Sequence, residues 1–325
     1  MNIGIQITKS KIKFDHLISL IKNNFSDNLS FIHIKDESDL LKKIKNLDVL
    51  VTYKISPSSF KHRSERLKWI HIGASGIEEN LFAELIKSKV TITNAKGINA
   101  NEVAEFIIAQ ILYFAKKINR CNDFKLNQKW NQWNLSKQII QLNESTLGII
   151  GYGQIGKKLA KIAKSFGMYT IATRRLQSKV EKKKNLDELL PLSDINKIYE
   201  KSDFLVLCCP LTPQTKKMIN DNIFKKMKRS SIIINISRGP IIDEKSLINA
   251  LLNKQVAGAA LDVFDTEPLT HDSNLFKLEN VLLSPHISGN FENYHIKMIE
   301  QFSDILVKFI LGKPLKNKVC KRRLY

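Results

Sequence analysis

Three short segments in the second half of the chain carry side chains that could do chemistry together. Ser237-Arg238-Gly239-Pro240 offers a guanidinium. Leu261-Asp262-Val263-Phe264-Asp265-Thr266-Glu267-Pro268 offers a carboxylate, and Ser284-Pro285-His286-Ile287-Ser288-Gly289 an imidazole. Each sits beside a turn-forming Pro or Gly. A guanidinium is a fixed fork of donors that can hold a carboxylate and a neighbouring carbonyl at once, a task lysine fills poorly. Histidine titrates near operating pH and can deliver a proton, and an adjacent carboxylate favours its charged form. Upstream lies a glycine loop, Gly151-Tyr152-Gly153-Gln154-Ile155-Gly156. A nucleotide loop followed by Arg238, Glu267 and His286 is equipment for reducing a 2-keto acid. Taken singly, a histidine or glutamate after a proline turn is more often a surface or capping residue; the three together carry the argument.

A Gly-x-Gly-x-x-Gly pattern alone is weak, but here residues 147–150 read as a strand and 157–166 as a helix. Gly151 allows the tight turn, Gly153 lets backbone approach a pyrophosphate, and Gly156 lets the helix pack on the strand. The helix N-terminus, with Gln154 and Ile155, offers free N–H groups to phosphate. A fold that binds NAD usually carries an acid about 20 residues after this loop, on the ribose 2′-OH. The strand 169–173 ends instead in Arg174-Arg175. Guanidinium groups pair with a 2′-phosphate. The chain prefers lysine, with arginine at only nine positions, and two of those stand here. NADP(H) is therefore the favoured cofactor, with NAD(H) possible.

Short apolar runs that could position these groups appear at 2–7, 31–34, 49–53, 69–72 and 90–94, with helix-like segments between the first of them. An amphipathic segment at 101–118, apolar at Val103, Phe106, Ile107, Ile111 and Phe114, predicts one linking helix. From residue 146 the runs become near-continuously apolar, at 147–150, 169–173, 204–209, 232–236, 258–261 and 281–284, as in parallel strands buried on both faces. Repeated strand–helix units predict an α/β fold of two Rossmann-like doubly wound domains. A helix at about 292–311 is expected to return to the first. The expected boundaries are 1–100 with 290–325 for a discontinuous substrate domain, and 101–289 for the dinucleotide-binding domain. The length of 325 residues suits two cores.

No run of about 18 apolar residues occurs, so no membrane span is expected, and the first residues carry no signal-peptide pattern. Cys121, Cys208, Cys209 and Cys320 lack metal spacing, and the adjacent pair ending an apolar strand reads as packing. The cytosol is the expected compartment. The net charge of +21 could suggest nucleic acid, but lysines are spread along the chain and no basic run is interleaved with aromatics. Compositional drift is the default, and a basic surface still attracts anionic substrates and cofactors.

The chain resembles the D-isomer-specific 2-hydroxyacid dehydrogenases over nearly its full length, most densely from 146 to 289. Beyond the segments above, Cys209-Pro210-Leu211-Thr212-Pro213-Gln214-Thr215, Asn235-Ile236-Ser237-Arg238-Gly239 and Asn99-Ala100-Asn101-Glu102-Val103-Ala104-Glu105 carry it. The resemblance implies a flavodoxin-like substrate domain, an NAD(P)-binding domain, catalysis between them and a homodimer formed through the nucleotide domain. It implies that Arg238 binds the carboxylate and polarises the keto oxygen, that His286 is the general acid, and that Glu267 is its partner. Ser75 and Gly76, in Trp69-Ile70-His71-Ile72-Gly73-Ala74-Ser75-Gly76, match a loop whose amides hold the substrate carboxylate. Asp262 matches an acid bonded to the nicotinamide carboxamide, Pro210 would border the nicotinamide, and Thr215 and Ile236 would line its groove. Trp130 and Trp133 are expected in the dimer interface. The reaction implied is reduction of a small keto acid such as glyoxylate or hydroxypyruvate. The alternatives are an NAD-dependent phosphoglycerate or D-lactate dehydrogenase, and a non-enzymatic cofactor-sensing protein supported only by the charge.

Overall fold

A computed structural model describes residues 1–25 and 28–323. Two compact units form, one from Met1–Asn99 together with the segment from Phe291 onward, the other from Ala100–Asn290.

The first unit holds strands β1 (Asn2–Gln6), β2 (Ser30–His33), β3 (Val49–Thr52), β4 (Trp69–Ile72) and β5 (Thr91–Asn94), with helices α1 (Lys11–Lys22), α2 (Glu37–Lys43), α3 (Pro57–Lys61) and α4 (Ala83–Lys87). The strands pair in parallel in the order β2-β1-β3-β4-β5. This is the flavodoxin-like order expected from the sequence. β3 and β4 are buried at every position, because helices cover both faces of a parallel sheet. The C-terminal helix Tyr294–Ile310 packs Phe302 against Trp69, with ring centroids 5.1 Å apart.

The second unit opens with α5 (Ala100–Ala115), α6 (Ile118–Asn127) and α7 (Gln132–Ser136). The single helix expected at 101–118 is thus two. The apolar face runs out at Ala115, Lys117 takes a left-handed φ of +53°, and α6 buries none of its residues. The sheet follows: β6 (Thr146–Ile150), α8 (Gln154–Ser165), β7 (Tyr169–Thr173), β8 (Glu181–Lys183), β9 (Leu186–Leu190), α9 (Ile195–Lys201), β10 (Phe204–Leu207), α10 (Asp221–Phe224), β11 (Ile232–Asn235), α11 (Glu244–Leu252), β12 (Gly258–Leu261) and β13 (Val281–Leu283). The order is β13-β12-β11-β10-β6-β7-β9-β8, parallel except for the antiparallel β8–β9 pair. Strand order reverses at β6 and β10, where a doubly wound sheet opens its binding crevice. The β8–β9 hairpin lies between the expected strands 169–173 and 204–209 and is additional to them. Burial of Cys209 pushes its thiol up to about 12, and Cys208 moves the same way, as packed rather than reactive thiols do. Among the described residues no helix is long and apolar enough to cross a membrane.

His71 of β4 leads into the loop of Ser75 and Gly76 and is fully buried. Its Nδ1 shares a 2.8 Å hydrogen bond with Thr93 Oγ1, while Nε2 has no partner among the described residues. Burial holds its pKa down to about 3, from an ordinary 6.5. The folded state therefore binds this proton less readily than the unfolded chain. Stability is complete above pH 6.5 and falls as the pH drops from there toward about 3, by roughly 1.4 kcal/mol per pH unit. Thermal melts of wild type and His71→Leu should diverge below pH 6.5 to the disadvantage of wild type. Curves that stay parallel down to pH 4, near the acid end of this window, would show that His71 is not the titrating group.

Candidate active site

The three chemistry-bearing segments all follow C-terminal ends of neighbouring strands in the second unit. Arg238 comes after β11, Glu267 after β12 and His286 after β13, and these strands pair side by side. Parallel pairing therefore delivers the three loops to one edge of the sheet.

Asp262 organises two of them. It is fully buried, and its carboxylate accepts hydrogen bonds from Ser284 Oγ at 2.6 Å, Ile287 N at 3.0 Å and Ser288 N at 3.0 Å. Its backbone oxygen accepts from His286 N at 2.9 Å. The loop is thus bound on both sides of His286. That residue has φ +52°, a left-handed conformation costing a non-glycine residue about 1 kcal/mol. Hydrogen bonds to a charged acceptor contribute on the order of 2 kcal/mol each, so three of them hold the conformation. His286 Nδ1 meets Glu267 Oε2 at 2.7 Å, and Glu267 Oε1 accepts from Phe264 N at 3.0 Å. With the carboxylate accepting, Nδ1 carries the proton. Nε2 has no partner among the described residues, and half of the side chain is exposed. The arrangement can hand a proton outward from Nε2 while Glu267 stabilises the ring.

Arg238 is held differently. Asn235 Nδ2 donates to Arg238 O at 2.9 Å, and Asn235 Oδ1 accepts from Ser237 N at 3.1 Å. Ser237 Oγ donates to Cys209 O, tying this loop to the one after β10, and Arg238 Nη1 donates to Ser237 O at 2.6 Å. Gly239 packs so closely on the next loop that an added Cβ would lie 1.9 Å from Phe264 C. The arginine loop and the glutamate loop therefore touch through backbone. Burial raises the carboxyl of the neighbouring Asp265, an effect opposed by Lys217.

At the glycine loop, Gly151 has φ +110°, and a Cβ there would stand 2.8 Å from the backbone of Cys208. A Cβ on Gly156 would meet Gly151 O at 2.5 Å, whereas Gly153 faces open space. Gly153 caps α8 with no side-chain bond, so the first-turn amides, including those of Gln154 and Ile155, remain for an anion. Arg174 and Arg175 are exposed directly after β7. A cavity of about 430 Å³ beside them is lined by Tyr152, Lys157, Arg174, Lys183, Lys184 and Asn185 among others. The residues present fit a dinucleotide phosphate.

The remaining expected residues lie as follows. Pro210 is exposed, Thr215 Oγ1 donates to Pro210 O at 2.7 Å within its own loop, and Ile236 is buried in the core. Ser75 and Gly76 belong to the first unit, where Asn94 Nδ2 donates to Ser75 O at 2.7 Å and Ser75 Oγ reaches Ala95 O at 3.4 Å. Asn235, Ser237, Gly239 and Ser284 also shape these loops, beyond the residues expected from the sequence. Their only sequence signal is a small or amide side chain at the end of an apolar strand.

The profile of the D-isomer specific 2-hydroxyacid dehydrogenase NAD-binding domain matches residues 108–288. The chain belongs to the D-isomer specific 2-hydroxyacid dehydrogenases. It is 34% identical over 282 residues to the glyoxylate reductase of Pyrococcus furiosus, covering 84% of this chain and 82% of that one. It is 31% identical over 284 residues to that of Korarchaeum cryptofilum, covering 86% and 85%. Among solved structures, a probable 2-hydroxyacid dehydrogenase of Rhizobium etli in complex with NADP superposes with a TM-score of 0.83 at 22% identity, over 100% and 99% of the two chains. An NAD-complexed family member from Lactobacillus delbrueckii superposes at 0.78 and 22% identity, over 98% and 100%. The fold of the family thus extends over both units, with residues 108–288 as its NAD-binding domain.

A Gly239→Ala change tests the contact between the two loops. The methyl has no room against the Phe264 backbone, so the loops must part. We expect a loss of about 1–3 kcal/mol in stability, together with loss of turnover. A variant with wild-type melting temperature and wild-type kcat would show that the loops need not touch.

Proposed function

We propose that this protein reduces a small 2-keto acid, of the glyoxylate or hydroxypyruvate kind, to the D-2-hydroxy acid with NADPH. The observation that carries this reading is the 2.7 Å bond from His286 Nδ1 to Glu267 Oε2, which leaves Nε2 available for a proton transfer. When bound, the reduced nicotinamide supplies a hydride to the carbonyl carbon. His286 gives the Nε2 proton to the carbonyl oxygen, and Glu267 stabilises the charged ring before the transfer. Arg238 grips the substrate carboxylate and polarises the carbonyl. Asp262 orders the His286 loop and has one lone pair left on Oδ2 for the carboxamide. Gly151, Gly153 and Gly156 with the first turn of α8 hold the pyrophosphate, while Pro210, Thr215 and Ile236 shape the groove.

The glyoxylate reductases among the relatives support the substrate class. Family structures hold NADP in one case and NAD in another, so cofactor choice rests on this chain's own Arg174 and Arg175. Initial rates with glyoxylate, hydroxypyruvate, pyruvate and phosphohydroxypyruvate, each with NADPH and with NADH, test the reading. We expect turnover of the small keto acids, with NADPH favoured about tenfold or more, the worth of one charge-assisted contact. A comparable preference for NADH would remove the arginine argument, and silence with both cofactors would remove the reaction. His286→Asn should lower kcat by roughly 10²- to 10⁴-fold with NADPH affinity unchanged, since asparagine tolerates the left-handed backbone. A kcat within twofold of wild type would exclude His286 as the acid.

The same reading includes a homodimer. α6 and α7 bury none of their residues, and Leu126, Trp130 and Trp133 are exposed. A helix of this length with no buried face is marginal in water, and a second copy would cover it. Sedimentation should give a dimer that Trp130→Ser/Trp133→Ser converts to monomer; a monomeric wild type would overturn this assignment.

A further inference from the structure

The β8–β9 hairpin carries a cluster of charge that the proposed reaction leaves unused. It hangs on the edge of the second sheet, with Glu181 opposite Leu189 and Lys183 opposite Leu186. β9 in turn pairs with β7, Leu189 beside Ala172, two residues before Arg174. By this register the turn, Lys184-Asn185, lies beyond the start of β7, and the cavity spans the distance from it to Arg174. Lys183, Lys184 and Asn185 form one wall of the 430 Å³ cavity whose other sides are Arg174, Lys157 and the buried Tyr152.

The charges around this cavity are unbalanced. Lys183 pairs with Glu181. Among the described residues, no carboxylate lies within ion-pairing distance of Lys157, Arg174 or Lys184. Elsewhere some surface lysines are paired, as Lys164 is with Asp187 and Lys201 with Glu188. Four cations facing one concavity with one carboxylate repel each other and focus a positive potential into it. An anion bearing two negative charges relieves that repulsion, and three acceptor oxygens match the donors of an arginine, three lysines and an amide.

We infer that the β8–β9 hairpin is a phosphate clamp, in which Lys183 and Lys184, with Lys157 opposite, close over the 2′-phosphate of NADPH held by Arg174. This rests on the NADPH reading above, and it adds specificity-determining residues on a separate element. The clamp discriminates because NADH presents a neutral hydroxyl at the same place. A hydroxyl cannot satisfy four cations, so the hairpin lysines contribute to NADPH binding and almost nothing to NADH binding.

The test compares 2′,5′-ADP with 5′-AMP, ligands that differ by the 2′-phosphate, by calorimetry on the full-length protein. Wild type should bind 2′,5′-ADP at least about tenfold more tightly, and Lys183→Gln/Lys184→Gln should cut that ratio by about tenfold while 5′-AMP affinity holds. Lys182→Gln, which removes one charge from the same strand but does not line the cavity, should leave the ratio within about twofold. In steady state the double variant should raise KM for NADPH and leave KM for NADH and kcat in place. If wild type shows the ratio, Arg174→Gln abolishes it and the hairpin double variant does not, the clamp is wrong and the cofactor reading stands. If wild type itself binds the two ligands equally, both fall together. Inorganic phosphate binding as tightly as 2′,5′-ADP would mark a free-anion site and overturn the assignment.

Discussion

The candidate site depends on one buried carboxylate. Asp262 ends β12, and through Ser284, Ile287 and Ser288 it fixes the backbone around His286 from both sides. The histidine stands in a left-handed conformation that its own side chain does not favour. Without those bonds the loop would relax toward negative φ, and the imidazole would swing away from Glu267. The bond of 2.7 Å between His286 and Glu267 is thus a consequence of anchoring two residues removed from it. Asp262 sits where solvent does not reach, and the three donors its carboxylate has within the protein all come from one loop. A group buried in this way is costly to leave unsatisfied, and that cost keeps the loop in place.

The same logic of close backbone approach governs the glycines. Gly239 and Gly151 each stand where a methyl would strike the main chain of a neighbouring loop, at Phe264 and Cys208 respectively. Gly239 joins the arginine loop to the glutamate loop, and Gly151 joins the phosphate loop to the one after β10. Ser237 adds a third link by bonding to Cys209 O. The loops after β6, β10, β11, β12 and β13 therefore form one connected layer. Parallel strands with adjacent registers make such a layer possible, because they bring five strand ends to one side of the sheet.

Much of this was legible in the sequence, and for definite reasons. Buried parallel strands leave continuous apolar runs, so β6, β7, β10, β11 and β12 were readable, and the residues just after each run were natural places to look for chemistry. Arg238, Glu267 and His286 are each open to a bland use taken singly and are legible only together, as three such side chains beside turn residues after successive apolar runs. Asn235, Ser284 and Gly239 are not legible, since their value lies in which backbone they touch after folding. The role of Asp262 toward the His286 loop depends on a contact 22 to 26 residues away in sequence. The β8–β9 hairpin was invisible for a different reason. Glu181, Lys182, Lys183 and Lys184 are poor strand formers, and the hairpin exists because Leu186 and Leu189 are buried against the sheet. The break between α5 and α6 carries no proline or glycine to mark it, since Lys117 takes the left-handed turn and the apolar Ile118 follows directly.

The charge of +21 can be read in the same local way. A net charge spread over a surface draws anions toward the whole protein and hastens their encounter, but it chooses none of them. Choice requires cations that face one space and lack partners. Lys164 and Lys201 are balanced by Asp187 and Glu188 on the same β9 strand that supports the hairpin. Lys157, Arg174 and Lys184, a few residues away, are left unbalanced around a cavity. A composition bias toward lysine would scatter pairs and gaps without regard to shape. A gap that coincides with a concavity at the end of β7 is a feature of the fold, and only there does the excess charge acquire a direction.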